Sequence, residues 1–529
     1  MRKHFNIAGP CRPGEHYMLS PRLRLEGIRR LIDDKAYFVV HSPRQTGKTT
    51  GLAALAEELT AEGHFAAVLA SCKPASDCGD DVERGIATII EWVHLEASEQ
   101  LAEDQLPVSV TEVAQVAANA RLGKFLSLWS ARCPRPVVLF LDEVDSLRDG
   151  TLLSVLSQLH AGYRRRPRRA PWSLALIGVR DVRDYKIRRR DDGDRAGTSS
   201  PFNIKTASLR LRDFTADEVA ELYAQHTRET GQQFTAAATA WAFELTRGQP
   251  WLVNALARQA VEVEAPDPAT SIDEGHVAAA KETLILRRDT HVDSLIDLLR
   301  EDRVRRVLQP ILMGDYVSWS ALDDDVSLLV DLGLIVTGPG GYRVANPIYR
   351  EIVPRALTAL LEPDLPIERA SYRAADGRLL FDKLLDRFVD FWRENAEHFL
   401  DKQPYSEAAA QLIFMAWLHR IVNGRQPAGV AVIEREYAVG TGRIDLLVRW
   451  PLPSGEQERF AIELKVWRDR YADPLDDGLR QLEAYLARFD LETGTLLLFN
   501  QRTDAKPLPD RISRERTEHA GRRIDVLRL

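Results

Sequence analysis

The sequence predicts an α/β protein of several domains: a doubly wound parallel sheet comes first, and a separate, smaller α/β domain closes the chain. Three observations carry this expectation. Five short apolar runs within the first 215 residues are separated mostly by helical stretches, the pattern of parallel strands joined by crossover helices. The segment HSPRQTGKTT (41–50) lies between an apolar run and a helix-like run, as a tight strand-to-helix loop would. Near the end, two segments of strand character, 429–450 and 458–467, follow a helix with an apolar stripe at 405–424. At 529 residues the chain is too long for one core, and about three to four domains are expected.

Composition narrows the class. Hydrophobic content of 45% and charged content of 28% are ordinary for a soluble globular protein. No apolar run approaches the ~20 residues that span a bilayer, so no membrane partner is expected. The start, MRKHFNIAGPCRPGEH, has no apolar core of signal-peptide type. Cys11, Cys72, Cys78 and Cys133 show no zinc-ligand spacing, which reads as reduced thiols and a cytoplasmic setting. A net charge of −7 argues against a generic nucleic-acid binder, but the charge is unevenly spread. Residues 161–212 hold 15 Lys/Arg against 5 Asp/Glu, so the remainder of the chain sums to −17. The clusters RRRPRR (164–169) and KIRRR (186–190) read either as a phosphate-tracking patch or as a solvated loop, with DDGD (191–194) partly cancelling the second.

Residues 1–35 lead in with Pro/Gly turns and a helical LRLEGIRRLIDD. The apolar strand at 36–40 then runs into the loop. Gly47, Lys48 and Thr49 complete the pattern G-x-x-x-x-G-K-[ST], with Ser42 where the first glycine belongs. Backbone amides from Arg44 through Gln45 and Thr46 to Thr49 can cradle phosphate oxygens at a helix N-terminus, with Ser42 and Thr50 at the two ends of the loop. Lys48 would reach the β- and γ-phosphates of ATP, and the Thr49 hydroxyl would ligate Mg²⁺. A second strand follows at 64–71, and helical segments near 81–103 and 111–130. In PRPVVLFLDEVDSL (134–147) an apolar strand ends in two acids: Asp142 would join the Mg²⁺ shell and Glu143 would polarise the attacking water. The strand at 172–179 ends at Arg180 and Asp181, which either sense nucleotide state or form an internal ion pair. Residues 208–214 supply the fifth strand.

HSPRQTGKTT and VVLFLDEVDSL resemble the Walker A and B motifs of AAA+-type P-loop ATPases. FTADEVAELYAQH (214–226) and LTRGQPWLVNALARQ (245–259) are similar to the helical lid of their archaeal-type and STAND-like relatives, in which a Gly-x-Pro opens a lid helix; Gly248 and Pro250 hold those places. The resemblance spans about 3–265. It implies ATP binding and hydrolysis, and, because such ATPases often build sites between subunits, a homo-oligomer. The chain departs from the pattern at Ser42, and no arginine finger is placed. The expected domains are an ATPase core at 1–215 and a lid at 216–286. A winged-helix-like domain is expected at 287–361, its wing turning at TGPGG (337–341), followed by a linker at 362–377. Acid at 323–325 would repel phosphate before the second helix, which favours a structural or relay role for that domain.

In the last domain, 378–529, Glu463 and Lys465 share one face of a strand, and Ile462, Leu464 and Val466 share the other. An Asp on the neighbouring strand, Asp445, can join them to gather two carboxylates and an ammonium around one point. Asp445 and Glu463, with the Leu464 carbonyl, would hold Mg²⁺ (or Mn²⁺), while Lys465 would position a water against a phosphodiester. The alternative is an exposed edge-strand ion pair. This D…E-x-K order resembles the PD-(D/E)XK nuclease superfamily over about 376–529, although the proline of that name is absent. The resemblance implies supporting roles for Glu407 on the preceding helix and for Gln481 and Tyr485 on the following one. Glu436 is read as an outer ligand or hydrogen-bond acceptor, and His419 as a core residue. Together these readings point to ATP-regulated, metal-dependent cleavage of nucleic acid, with DNA the expected substrate, in a fusion that resembles bacterial ATPase–nuclease proteins, a resemblance that implies defence against foreign DNA as a setting. The rival reading is a nucleotide-switched regulator whose last domain only binds nucleic acid or protein.

Overall fold

The computed structural model describes residues 3–20, 24–25, 27–179, 204, 206–286, 297–312, 323–338, 341–353, 372–402, 410, 413–418, 432–439, 442–469 and 472–529. The chain divides into two compact units, Met1–Arg288 with Ser318–Ile348, and Asp289–Val317 with Tyr349–Leu529. Arg180, Asp181, the cluster at 186–190, Glu407, His419 and most of the expected linker lie outside the described residues.

The first unit is built on β1 (Tyr37–His41), β2 (Ala66–Ser71), β3 (Val137–Asp142), β4 (Ser173–Gly178) and β5 (Ala207–Arg210). All pair in parallel, in the order β2-β3-β4-β1-β5. Strands covered on both faces read as unbroken apolar runs, which is why alternation is missing from VVLFL and SLALIG. Period-2 geometry still sorts their side chains. Val39, Val68, Leu139, Leu141 and Leu176 face α3 (Val82–Gln100), α4 (Ala118–Arg132) and α5 (Asp149–Gly162). Phe38, Val40, Ala67, Phe140 and Ile177 face α1 (Ile28–Asp33) and α2 (Lys48–Ala61). The sheet is therefore doubly wound, as expected from the sequence.

Four helices follow: α6 (Ala216–Thr230), α7 (Ala236–Thr246), α8 (Pro250–Gln259) and α9 (Glu274–Leu286). A capping box between Thr215 and Glu218 starts α6, and Gly231 in the left-handed region ends it. Pro250 occupies the first turn of α8, where its missing N–H costs nothing. Gly248 is required. Its φ is +77°, and a Cβ there would stand 1.9 Å from the Phe214 carbonyl oxygen, while Phe214 N–H donates to Gly248 O at 2.8 Å. The lid is thereby seated on the segment that leaves β5.

Helix α10 (Asp302–Leu312) belongs to the second unit. Helix α11 (Asp324–Asp331) and the antiparallel pair β6 (Ile335–Gly338) and β7 (Gly341–Val344) belong to the first. The acid run before α11 serves as its cap: Asp323 accepts from the N–H groups of Asp325 and Val326. This segment reaches the strand ends beside the phosphate loop. Asp331 Oδ1 lies 3.5 Å from His41 Nδ1, and Arg210 donates to Val330 O at 3.0 Å.

The second unit carries α12 (Phe381–Lys402), β8 (Val432–Val439), β9 (Gly442–Pro451), β10 (Gln457–Trp467), α13 (Leu475–Phe489), β11 (Thr493–Asn500), β12 (Ser513–His519) and β13 (Arg522–Arg528). The six strands form one mixed sheet ordered β12-β13-β11-β10-β9-β8. Helix α13 covers one face through Leu482, Tyr485 and Leu486 against Leu447, Ala461, Leu496 and Leu498. Trp392 of α12 meets Phe499 with ring centroids 5.1 Å apart, on the face opposite Leu496 and Leu498.

Gly248→Ala combines a left-handed φ with a backbone clash, so it should destabilise the first unit by at least about 2 kcal/mol. Thermal unfolding followed by circular dichroism checks this; an unchanged transition would mean that the lid is not seated on Phe214.

Candidate functional site

The loop carrying the G-K-T motif fills the turn between β1 and α2. Gly47, with φ +82°, is the N-cap residue of α2, and Gln45 also takes a positive φ of 59°. Ser42 is fully buried, and its hydroxyl donates to Leu211 O at 3.2 Å. It is not among the residues of positive φ, so the backbone there makes no demand for glycine. The serine instead ties the loop to the end of β5. Thr46 is buried and donates to Pro43 O at 2.9 Å, and the Thr50 hydroxyl accepts from Cys11 N–H at 3.0 Å. Arg44 and Gln45 are exposed on the rim.

Lys48 folds back inside the loop and donates to Ser42 O at 2.6 Å and Pro43 O at 2.7 Å. Burial pushes its ammonium down to about 8, against the pull of Asp142, Asp145 and Glu143. The next side chain, Thr49, donates to Asp142 Oδ2 at 2.6 Å. Asp142 ends β3, is 4% exposed, and is raised by burial, opposed by its hydrogen bonds from Thr49 and the Glu143 N–H. A hydroxyl and a carboxylate in contact are hard oxygen donors of the kind Mg²⁺ takes, so the residues present fit the ion.

Glu143 takes a left-handed φ of 54°, and its Oε2 accepts from the Ser71 hydroxyl at 2.6 Å. Ser71 ends β2 and pairs in register with Asp142. Sequence reasoning passed over Ser71. Its signal was a polar residue closing an apolar strand at the level of the acids on the neighbouring strand.

A cavity of about 140 Å³ opens beside the loop. Gln45, Thr46, Gly47 and Thr50 form one wall; Phe214, Leu222, Pro250 and Trp251 of the hinge and lid form another. The N-terminal segment closes it with Ile7, Cys11, Tyr17 and Met18, and Trp251 Nε1 donates to Ile7 O at 2.9 Å. That segment was read only as a turn-rich lead-in. Its part in the cavity depends on irregular backbone, which carries no periodicity to detect.

In the second unit Lys465 Nζ donates to Glu463 Oε1 at 2.6 Å and to Gln481 Oε1 at 2.6 Å. Glu463 is 1% exposed and Lys465 only partly exposed, and β10 lies between β11 and β9, so this is not an edge-strand ion pair in solvent. Gln481 comes from α13, whose Tyr485 is buried in the apolar layer against the sheet. Antiparallel pairing sets Leu446 against Ile462, where the ladder between β9 and β10 ends; Asp445 and Glu463 are the residues that follow on the two strands. The side chains of Asp445 and Glu436 lie outside the described residues. Among the described residues no three His, Cys, Asp or Glu side chains gather as a metal site. Of the expected metal ligands here, the described side chains include the Glu463 carboxylate.

No protein-family profile and no curated protein matches the chain. Among solved structures it is similar to a Walker-type ATPase of Pyrococcus abyssi, at 14% identity and a TM-score of 0.43, covering 65% of this chain and 98% of that one. It is also similar to the ORC2 protein of Aeropyrum pernix in its ADPNP–ADP complexes, at 15% identity and a TM-score of 0.39, over 64% of this chain and 92% of that one. The RuvB Holliday junction branch migration motor of Thermotoga maritima matches at 17% identity and a TM-score of 0.33, over 61% of this chain and 89% of that one.

An anion placed in the loop would raise the lowered Lys48 ammonium back toward its ordinary range. Binding of MgATP near pH 8 should therefore take up about half a proton through Lys48, falling toward none below pH 6.5. Titration calorimetry in Tris and HEPES reads this uptake, which Lys48→Met should abolish.

Proposed function

We propose that this chain binds and hydrolyses ATP in its first unit and uses that cycle to control metal-dependent cleavage of phosphodiesters, in DNA, by its second. The observation that carries the reading is the convergence of Lys48, Thr49, Asp142 and Glu143 at the C-terminal ends of β1 and β3, beside a cavity closed by the lid. Lys48 would exchange the Ser42 and Pro43 carbonyls for phosphate oxygens. Thr49 and Asp142 would hold Mg²⁺, whose charge offsets that of the β- and γ-phosphates. Glu143 would turn from Ser71 to orient the attacking water. Several copies of the chain would assemble for turnover.

The cleavage reading rests on the buried Glu463 carboxylate, held by the partly exposed Lys465, which also donates to Gln481 at the surface. Glu463 and Asp445, each one residue beyond the last β9–β10 pair, would hold Mg²⁺ or Mn²⁺, which would supply an acidified water. Lys465, freed from Glu463, would orient that water and offset charge on the scissile phosphate. Gln481 keeps the ammonium at the strand face where this happens.

The test is cleavage of plasmid and linear DNA with Mg²⁺ or Mn²⁺, with and without ATP. Lys465→Ala should lower cleavage at least about 100-fold, and Lys48→Ala should remove its response to ATP. Binding of DNA without cutting by the unmutated protein would favour the rival, a nucleotide-switched regulator with a binding-only second unit.

A further inference from the structure

Arg24 lies in the segment before α1, and nothing in the sequence motifs accounts for it. Its guanidinium joins two parts of the first unit that are far apart in the chain. Nη1 donates to the Thr46 carbonyl of the phosphate loop at 2.7 Å, and Nε donates to the Arg212 carbonyl at 2.8 Å, joined there by Nη2. The plane also lies over the Phe214 ring, 4.9 Å from its centroid. Arg212 in turn pairs bidentately with Glu218, at 2.6 and 2.7 Å, and Glu218 completes the capping box that starts α6.

The peptide joining Thr46 to Gly47 is planar and trans, so its carbonyl and its N–H point in opposite directions. The donor that holds the Thr46 carbonyl therefore also fixes the direction of the Gly47 N–H, on the side of the peptide away from Arg24. The same group holds the Arg212 carbonyl at the hinge between β5 and the lid. A planar fork offers three donors in fixed directions, from three separate nitrogens, to these two acceptors; the single nitrogen of an ammonium does not reproduce that geometry.

We infer that Arg24 is a positioning residue for nucleotide binding: it fixes the Gly47 amide toward phosphate and couples the loop to the lid hinge through Arg212 and Glu218. This rests on the ATP reading of the same site.

The experiment measures affinity for a fluorescent ribose-labelled ATP analogue with Mg²⁺, and steady-state ATP turnover, in the full chain. Arg24→Ala should weaken binding and raise KM about tenfold while kcat changes less than about threefold. Arg24→Lys keeps the charge and, with a smaller risk to folding, should lose nearly as much. Free guanidinium at millimolar concentration should restore part of the affinity of Arg24→Ala. Glu218→Gln should weaken binding, and the double variant with Arg24→Ala should be no more than about twofold weaker than Arg24→Ala alone. Unmutated protein that binds no nucleotide would overturn the ATP reading, and the role of Arg24 with it. If the unmutated protein binds, wild-type affinity in Arg24→Lys would reduce Arg24 to a charge and overturn its role alone. Fully multiplicative effects in the double variant would overturn the coupling to the lid.

Discussion

The hydrogen bond from Thr49 to Asp142 is the contact around which the first unit is arranged. The two residues lie on β3 and on the helix that follows β1, and β4 stands between those strands in the sheet. Their side chains meet because both ends open on the same edge of a parallel sheet, where crossover helices leave a crevice. The strands are buried on both faces and cannot shift register without exposing apolar side chains. A rigid scaffold thus fixes a short polar contact. Lys48 and Glu143 are its immediate neighbours in sequence, and each is held by a local partner, the loop carbonyls and Ser71.

Much of this was legible in the residues. Gly-Lys-Thr after an apolar run, and Asp-Glu ending another, marked four polar groups that lie at the ends of β1 and β3, and the Gly-x-Pro at 248–250 marked the start of α8. What escaped were contacts with no local pattern. Ser42 was read as a missing glycine, yet its hydroxyl anchors the loop to Leu211. Ser71, Arg24 and the N-terminal segment act across 72, 22 and up to 244 residues of chain, through single side chains or irregular backbone. The acid run at 323–325, weighed against phosphate contact, is the cap and first turn of α11.

In the second unit the strand pair and the following helix were legible because β10 alternates and α13 carries a clear apolar stripe. That alternation correctly put Glu463 and Lys465 on one face, and Gln481 joins them there. The strands β11 to β13 were not singled out: β11 is a short apolar run that a helix segment could equally supply, and β12 is mostly charged. A buried carboxylate is costly unless it is paired, and Glu463 is held by an ammonium that still reaches solvent, which makes this set a better candidate for chemistry than a surface pair of the same residues.

The measurement that bears most directly on the account is ATP binding and turnover in Glu143→Gln beside the unmutated chain. Gln keeps the size of the side chain and a hydrogen bond from Ser71, but cannot accept a proton from water. The account predicts analogue affinity within about threefold of the unmutated protein and hydrolysis at least about 100-fold slower. Hydrolysis at the unmutated rate would contradict the role of Glu143, and with it the reading of the β1–β3 crevice as a hydrolytic site.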